Sequence, residues 1–309
     1  MQDVQKLQAP VTHETTESPS KAKGVVRHSM GDRLFSWGVI AFLVILMLMM
    51  IVPFINVLAV AFSAPLASME PGIILWPREF SVEGFKTVWI NLDLQRAFLN
   101  SVIVTSVGTV AHVTLCCIAA YVLIQKDLPG RSLMLLFILA TMAIPGELIM
   151  IPLYIVNRDL GLLNTLWALI FSGMVSGFSI LLLRNFFAGV PYDLAESAKI
   201  DGASDFHIFR TIYLPLSQAG IATIALFELV SRWNQFMPVI LYINDSSKYT
   251  LQVALNALVT ENLGTSGMSM VTPNVRMAGI VIAILPLVVI YPFMQRYFVQ
   301  GITLGSVKE

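Results

Sequence analysis

Glu228 and Arg232 stand four residues apart in an otherwise apolar stretch, and Trp233 and Asn234 follow at once. On a helix that spacing sets carboxylate and guanidinium on one face. Ionisable groups among apolar residues are expensive, so each is a candidate site. Two chemistries fit the pair. It is an internal ion pair that neutralises itself, or a cavity wall where Arg232 meets a sugar hydroxyl or grips a uronate carboxylate with two N–H groups. Trp233 and Asn234 extend the second reading, as an aromatic face for a sugar ring and an amide for hydroxyls. They serve equally well as packing anchors. Pro238 loosens the helix just beyond them. Glu147 follows Pro145-Gly146, so a helix break places it in a water-filled cavity or at an outer mouth, or makes it the charge on a restarted half-helix. His112 reads as a hydrogen-bonded packing residue rather than a proton relay. The adjacent Cys116 and Cys117 suit neither an ordinary disulfide nor, alone, a zinc site, and read as small apolar filler. No catalytic residue and no metal site emerges.

The elements that hold these residues follow from composition. Hydrophobic residues make up 56% of the 309, charged residues 12%, and mean hydropathy is +0.77. A soluble chain carries about 25% charged residues, so this is an integral membrane protein. Formal net charge is zero, and no basic run interleaved with aromatics appears, which argues against a nucleic-acid partner. Six apolar segments are long enough to span, near Phe35–Phe62, Phe98–Ile124, Leu133–Val156, Leu166–Phe187, Leu214–Ile243 and Met277–Phe298, since a span needs roughly 20 residues. Each must be helical, because backbone groups in lipid find partners only within the segment. The first is too long for a signal-peptide core. Lysine and arginine divide twelve to six in favour of the N-terminal side, which places both termini in the cytoplasm. The expected organisation is a polar tail over 1–33, a membrane domain over 34–300 with a cytoplasmic loop at 188–214, and a short tail over 301–309. The outer loops Ser63–Arg96 and Asn244–Arg276 suit contact with something outside the membrane, or simply connect spans.

The cytoplasmic loop belongs to a polar insert, Asp193–Gly220, between two apolar segments. Pro191 fits a first helical turn, and Asp193 and Glu196 complement the positive end of the helix dipole. Gly202 supplies a left-handed stop. Ser204 is the expected N-cap of a second short helix, with Phe206, Ile208, Phe209 and Ile212 on its apolar side. Pro215 restarts the chain as the fifth span. Ala195, Ala198 and Ala203 leave the surface open to close approach.

Glu196-Ser-Ala-Lys-Ile-Asp201-Gly202-Ala203, followed by Phe209, Ile212 and Leu214-Pro215, resembles the EAA signature of ABC-importer membrane subunits. Ser197 replaces one of its alanines, and Ala219 stands where a proline is common. Ala120-Tyr121, Pro129-Gly130-Arg131, Gly161-Leu-Leu-Asn164-Thr165, Arg184-Asn-Phe-Phe187 and Trp233-Asn234 resemble the carbohydrate branch, the maltose-importer-like, binding-protein-dependent permeases. The ending Phe298–Lys308 is similar to the LplC-like subgroup. The resemblance implies an all-α type I importer permease fold of six transmembrane helices in the bacterial plasma (inner) membrane. It implies that Glu196, Ala198, Asp201, Gly202, Ala203, Phe209, Leu214 and Pro215 meet an ATPase subunit. The substrate pathway would then include Glu147, Glu228, Arg232, Trp233 and Asn234. The implied partners are a second, related permease, an ATP-binding-cassette ATPase dimer, an extracytoplasmic solute-binding protein, membrane lipid and an oligosaccharide, acidic alginate- or pectin-derived chains included.

No G-x-x-x-x-G-K-[ST] phosphate loop occurs, and Gly-Lys is absent as a dipeptide. ATP and Mg would therefore sit on a separate subunit, with no cofactor in this chain. The alternative, a proton- or sodium-driven secondary transporter, calls for inverted repeats and matched discontinuous helices, which the sequence does not display. An intramembrane hydrolase lacks both an H-E-x-x-H motif and a nucleophile motif near His112.

Overall fold

The structure is a computed structural model that describes residues 30–260 and 271–306. It is all-α: no strand occurs among the described residues, only an isolated bridge between Ser63 and Phe80. By internal contacts the chain forms two compact units, Met1–Ile51 and Val52–Glu309. The described part of the first is the opening of helix α1 (Met30–Ala61), predominantly apolar and long enough over Arg33–Ala61 to span a membrane. Of the tail expected over 1–33, all but the start of this helix lies outside the described residues.

The second unit is organised around α2 (Leu94–Ile124), a single 31-residue helix. Its buried side is a stripe of small or compact residues, among them Ser101, Thr105, Gly108, His112, Cys116 and Ala120. Such residues let neighbouring membrane helices approach closely. Helices α3 (Arg131–Met142) and α4 (Gly146–Asp159) follow, bent by 101° across the Pro145-Gly146 break. Next come α5 (Leu166–Phe171) and α6 (Gly177–Ala188). The insert folds as α7 (Tyr192–Ile200) and the short α8 (Asp205–Ile208), then a π-helical turn at Phe209–Tyr213. Helix α9 (Gln218–Trp233) leaves the segment before it at 80°. α10 (Met237–Tyr242), α11 (Leu251–Thr260) and α12 (Pro273–Ser306) complete the chain. α12 thus continues through residues 301–306.

Six continuous spans are not what forms. Among the described residues three helices are long and apolar enough to cross a membrane, or five if each bent pair counts as one span. The segment read as Leu166–Phe187 is interrupted at 172–176, where Gly173 takes a left-handed φ of 69°. That run carries no proline, so its hydropathy alone reads as unbroken. The fifth span begins at Gln218 rather than at Leu214, and stops at Trp233 before Pro238.

The core is built in patches along α2. One joins Cys116, Cys117, Ala120 and Tyr121 to Leu183 and Phe187 of α6 and to Ala195, Ile208 and Tyr213 of the insert. Another joins Leu94 and Ala97 to Trp233, Leu251 and Ala278. Cys116 and Cys117 are buried, free thiols within this packing.

Candidate functional site

Arg232 is buried at the end of α9, its side chain 3% exposed. Its Nε donates to Glu228 Oε1 at 2.6 Å. Nη1 donates to the carbonyls of Leu169 and Ile170, each at 3.2 Å, and Nη2 to those of Ser172 at 3.4 Å and Gly173 at 3.3 Å. A guanidinium has five N–H donors, and all are engaged. The acceptors are carbonyls that the end of α5 frees and that lipid could not satisfy. The expectation that Arg232 offers itself to a sugar or a uronate is therefore corrected. It is the internal partner of Glu228 and the polar cap on the interrupted segment.

His112 completes the cluster. Its Nδ1 lies 3.0 Å from the Gly173 carbonyl and 3.5 Å from Glu228 Oε1, and its Nε2 lies 2.9 Å from Ser179 Oγ. A carbonyl only accepts, so Nδ1 carries a proton, and Nε2 shares a hydrogen bond with the Ser179 hydroxyl. This is the packing role that the sequence favours. Gly108 is required beside it, because a β-carbon there would fall 2.4 Å from Arg232 Nη1.

Trp233 is also a packing anchor. It is buried, donates from Nε1 to the Ala283 carbonyl at 3.0 Å, and meets Phe98 edge-on at 5.7 Å. Its ring offers no face to a sugar, which corrects that half of the Trp233-Asn234 expectation. Asn234 is different. It is exposed, and it lines a cavity of about 510 Å³ with Phe236, Gln252, Asn256 and the apolar face of α12 around Ile284. Gln252 Nε2 donates to Asn234 Oδ1 at 3.3 Å. Three amides on one apolar-walled concavity can exchange hydrogen bonds with hydroxyls without adding charge. Gln252 and Asn256 escaped the sequence reading because nothing local links a helix after residue 250 to Asn234. Glu147 stands exposed in the first turn of α4, just past the bend, and is part of neither the cavity wall nor the Arg232 cluster.

At the insert the expected stop at Gly202 and N-cap at Ser204 both form. Gly202 takes φ +82°, and Ser204 Oγ accepts from the His207 N–H at 3.3 Å. Lys199 bridges to Asp205 at 3.3 Å across this turn, and that hydrogen bond raises the lysine's pKa above its ordinary 10.5. The candidate residues then separate by face. Glu196, Asp201, Gly202 and Pro215 are exposed, while Ala198, Ala203, Phe209 and Leu214 pack against the core. Phe209 and Tyr213 form an aromatic knot with Tyr121 of α2, at ring separations of 5.0 and 5.1 Å, and with Phe187 of α6. Phe206, expected on the apolar inner side, is 70% exposed, and Ile200 is 81% exposed.

Residues 113–304 match the family described as binding-protein-dependent transport system inner membrane component. The chain belongs to that family. It is 39% identical over 287 residues to the polygalacturonan/rhamnogalacturonan transport system permease protein YtcP of Bacillus subtilis, covering 90% of this chain and all of that one. Protein LplC of the same organism is 38% identical, over 84% of this chain and 89% of the other. A bacterial ABC transporter chain, solved in a study of the import of the acidic polysaccharide alginate, superposes with a TM-score of 0.81 at 28% identity. It covers 87% of this chain and 98% of that one. The protein is thus a multi-pass transport permease of the bacterial inner membrane with the type I importer fold. In this permease the exposed face of the insert and the amide cavity are two polar surfaces that the packing described above does not cover.

Proposed function

We propose that this permease moves oligosaccharides into the cytoplasm as half of an ATP-binding-cassette importer, energised by a separate ATPase that docks on residues 192–216. The observation that carries the reading is the two-faced insert. Its inner side is fixed by Ala195, Ile208, Phe209 and Tyr213, while Glu196, Ile200, Asp201, Gly202 and Phe206 project outward. Large apolar side chains beside carboxylates at the tip of a stiff loop suit a protein partner. Lysine and arginine bias puts the insert in the cytoplasm, where the ATPase would hold ATP and Mg. A related second permease, an external solute-binding protein and membrane lipid complete the set of partners. The polar tail up to residue 33 takes no part in the reading.

The relative named for polygalacturonan and rhamnogalacturonan and the structure named for alginate favour an acidic oligosaccharide as cargo. In this half the contacts would be to hydroxyls, through Asn234, Gln252 and Asn256. Since Arg232 is spent, the cation that meets a uronate belongs to another part of the complex.

Gly202→Asp tests the coupling. The variant inserts normally and, reconstituted with its ATPase and binding protein, loses at least tenfold in uptake while ATP hydrolysis persists. Unchanged uptake would remove the docking assignment. Uptake that continues without any ATPase subunit would favour proton or sodium drive instead.

A further inference from the structure

Helix α2 makes specific contacts at both of its ends. Near its C-terminus, Tyr121 enters the aromatic knot with Phe209 and Tyr213, and its O–H donates to the Asp205 carbonyl at 3.2 Å. Just past the helix, Lys126 lies 3.6 Å from the ring centre of Tyr192 in α7. Both short helices of the insert are thereby tied to one end of α2. Near the other end, Asn100 spends both amide N–H groups on the carbonyls of Ser247 and Tyr249, each at 3.0 Å. Ser101 Oγ accepts the N–H of Leu251 at 2.8 Å. Leu251 opens α11, so Ser101 satisfies one of the donors that a helix start leaves free. The next residue, Gln252, lines the amide cavity.

Between Ser101 and Tyr121 the helix is unbroken, and 20 residues at 1.5 Å each separate the two grips by about 30 Å, the thickness of a bilayer core. At mid-length the recess at Gly108 seats the Arg232 guanidinium, which ties α9 and the broken segment to the same rod. The chain's direct continuation from insert to α9 is less suited to transmit force. It passes a π-helical turn and an 80° bend at Ser217. Helix α6, the other neighbour of the insert, stops at Gly177.

We propose that α2 is a push-rod that carries displacement of the insert to the wall of the amide cavity, with Tyr121 as a positioning residue at the driven end and Asn100 and Ser101 as positioning residues at the cavity end. The inference rests on the proposed reading of the insert and the cavity. Movement of the insert shifts α2 along or about its axis. The bonds from Asn100 and Ser101 then shift residues 247–252 with it, which changes the separation of Gln252 from Asn234.

The test uses the full complex, permease pair, ATPase and binding protein, in proteoliposomes, with uptake and ATP hydrolysis measured together. Tyr121→Ala and Ser101→Ala each lower the uptake obtained per ATP by about tenfold. The double variant is no worse than the weaker single, because the two residues act in series on one element. Ser101→Thr, which keeps the hydroxyl, restores the ratio. Losses that multiply in the double variant, or uptake and hydrolysis falling in parallel, overturn the push-rod. A second measurement does not depend on these variants. With the buried Cys116 and Cys117 replaced by Ala, spin labels at exposed Ser197 and Ser246 keep a constant separation on ATP binding, whereas labels at Ser197 and Leu148 change theirs. A Ser197–Ser246 change as large as the Ser197–Leu148 change refutes it. Should the unmodified complex hydrolyse ATP yet take up no oligosaccharide, the functional reading itself fails, a result separate from either.

Discussion

Two interruptions of apolar helix, at 143–145 and at 172–176, solve the same problem in opposite ways. Both free backbone groups where water is scarce. At 172–176 the freed carbonyls are answered from another helix, by the guanidinium of Arg232, with His112 sharing the Gly173 oxygen. At 143–145 the answers are local. Ala143 and Ile144 donate to the carbonyls of Ala140 and Thr141, three residues back, and residues 141–149 are all exposed. The first interruption is a fixed joint at the centre of the packing. The second leaves the start of α4 open to lipid or to a second chain, and α4 meets the core only farther on, where Tyr154 packs near Val239 and Tyr242. A helix break therefore does not by itself mark a hinge; what decides is whether a distant residue bridges it.

Three substitutions probe that contrast. Arg232→Met should be the most damaging, because it strands the Glu228 carboxylate and four carbonyls. Breaking a buried pair costs about 3–5 kcal/mol, measured as the loss of unfolding free energy in mixed detergent. A loss under 1 kcal/mol would show that the joint does not depend on the bridge. Gly108→Ala is next. The added β-carbon meets Nη1 at 2.4 Å, and overpacking of this kind costs about 1–3 kcal/mol, read in the same unfolding assay. Combined with Arg232→Met it should add little, since the obstructing group is gone. Glu147→Gln sits at the open break and should change stability by less than about 0.5 kcal/mol, as exposed positions do. A drop comparable to that of Arg232→Met would erase the distinction between the two breaks.

What the sequence reveals follows the reach of the interactions involved. Gly202, Ser204 and the Pro145-Gly146 break act through bonds within a few residues, so residue type alone locates them, and the structure bears each out. The ion pair of Glu228 with Arg232 is likewise a matter of spacing along one helix. Which side of Arg232 and Trp233 prevails is not. Its acceptors at 169–173 lie some 60 positions away, and the Trp233 partner at Ala283 lies 50 away. The break at 172–176 shows in the sequence only as Ser172-Gly173 and Ser176-Gly177 within an apolar run, because small residues inside a membrane helix are as often packing residues as stops. The division of the insert into inner and outer faces was half legible. Ile208 and Phe209 fall inward as spacing predicts, but Phe206 stands two positions before Ile208, about 200° around a helix of 3.6 residues per turn, and lies outside.

The recess at Gly108 also binds the history of two distant positions together. While arginine stands at 232, position 108 is closed to every larger residue; once 232 shrinks, the bar lifts, and a side chain that grows at 108 then blocks the way back to arginine. Position 108 acts as a ratchet on the buried charge. A lineage that lost the guanidinium would have to carry the broken segment's carbonyls by some other means, and could not easily recover it by reversing one step.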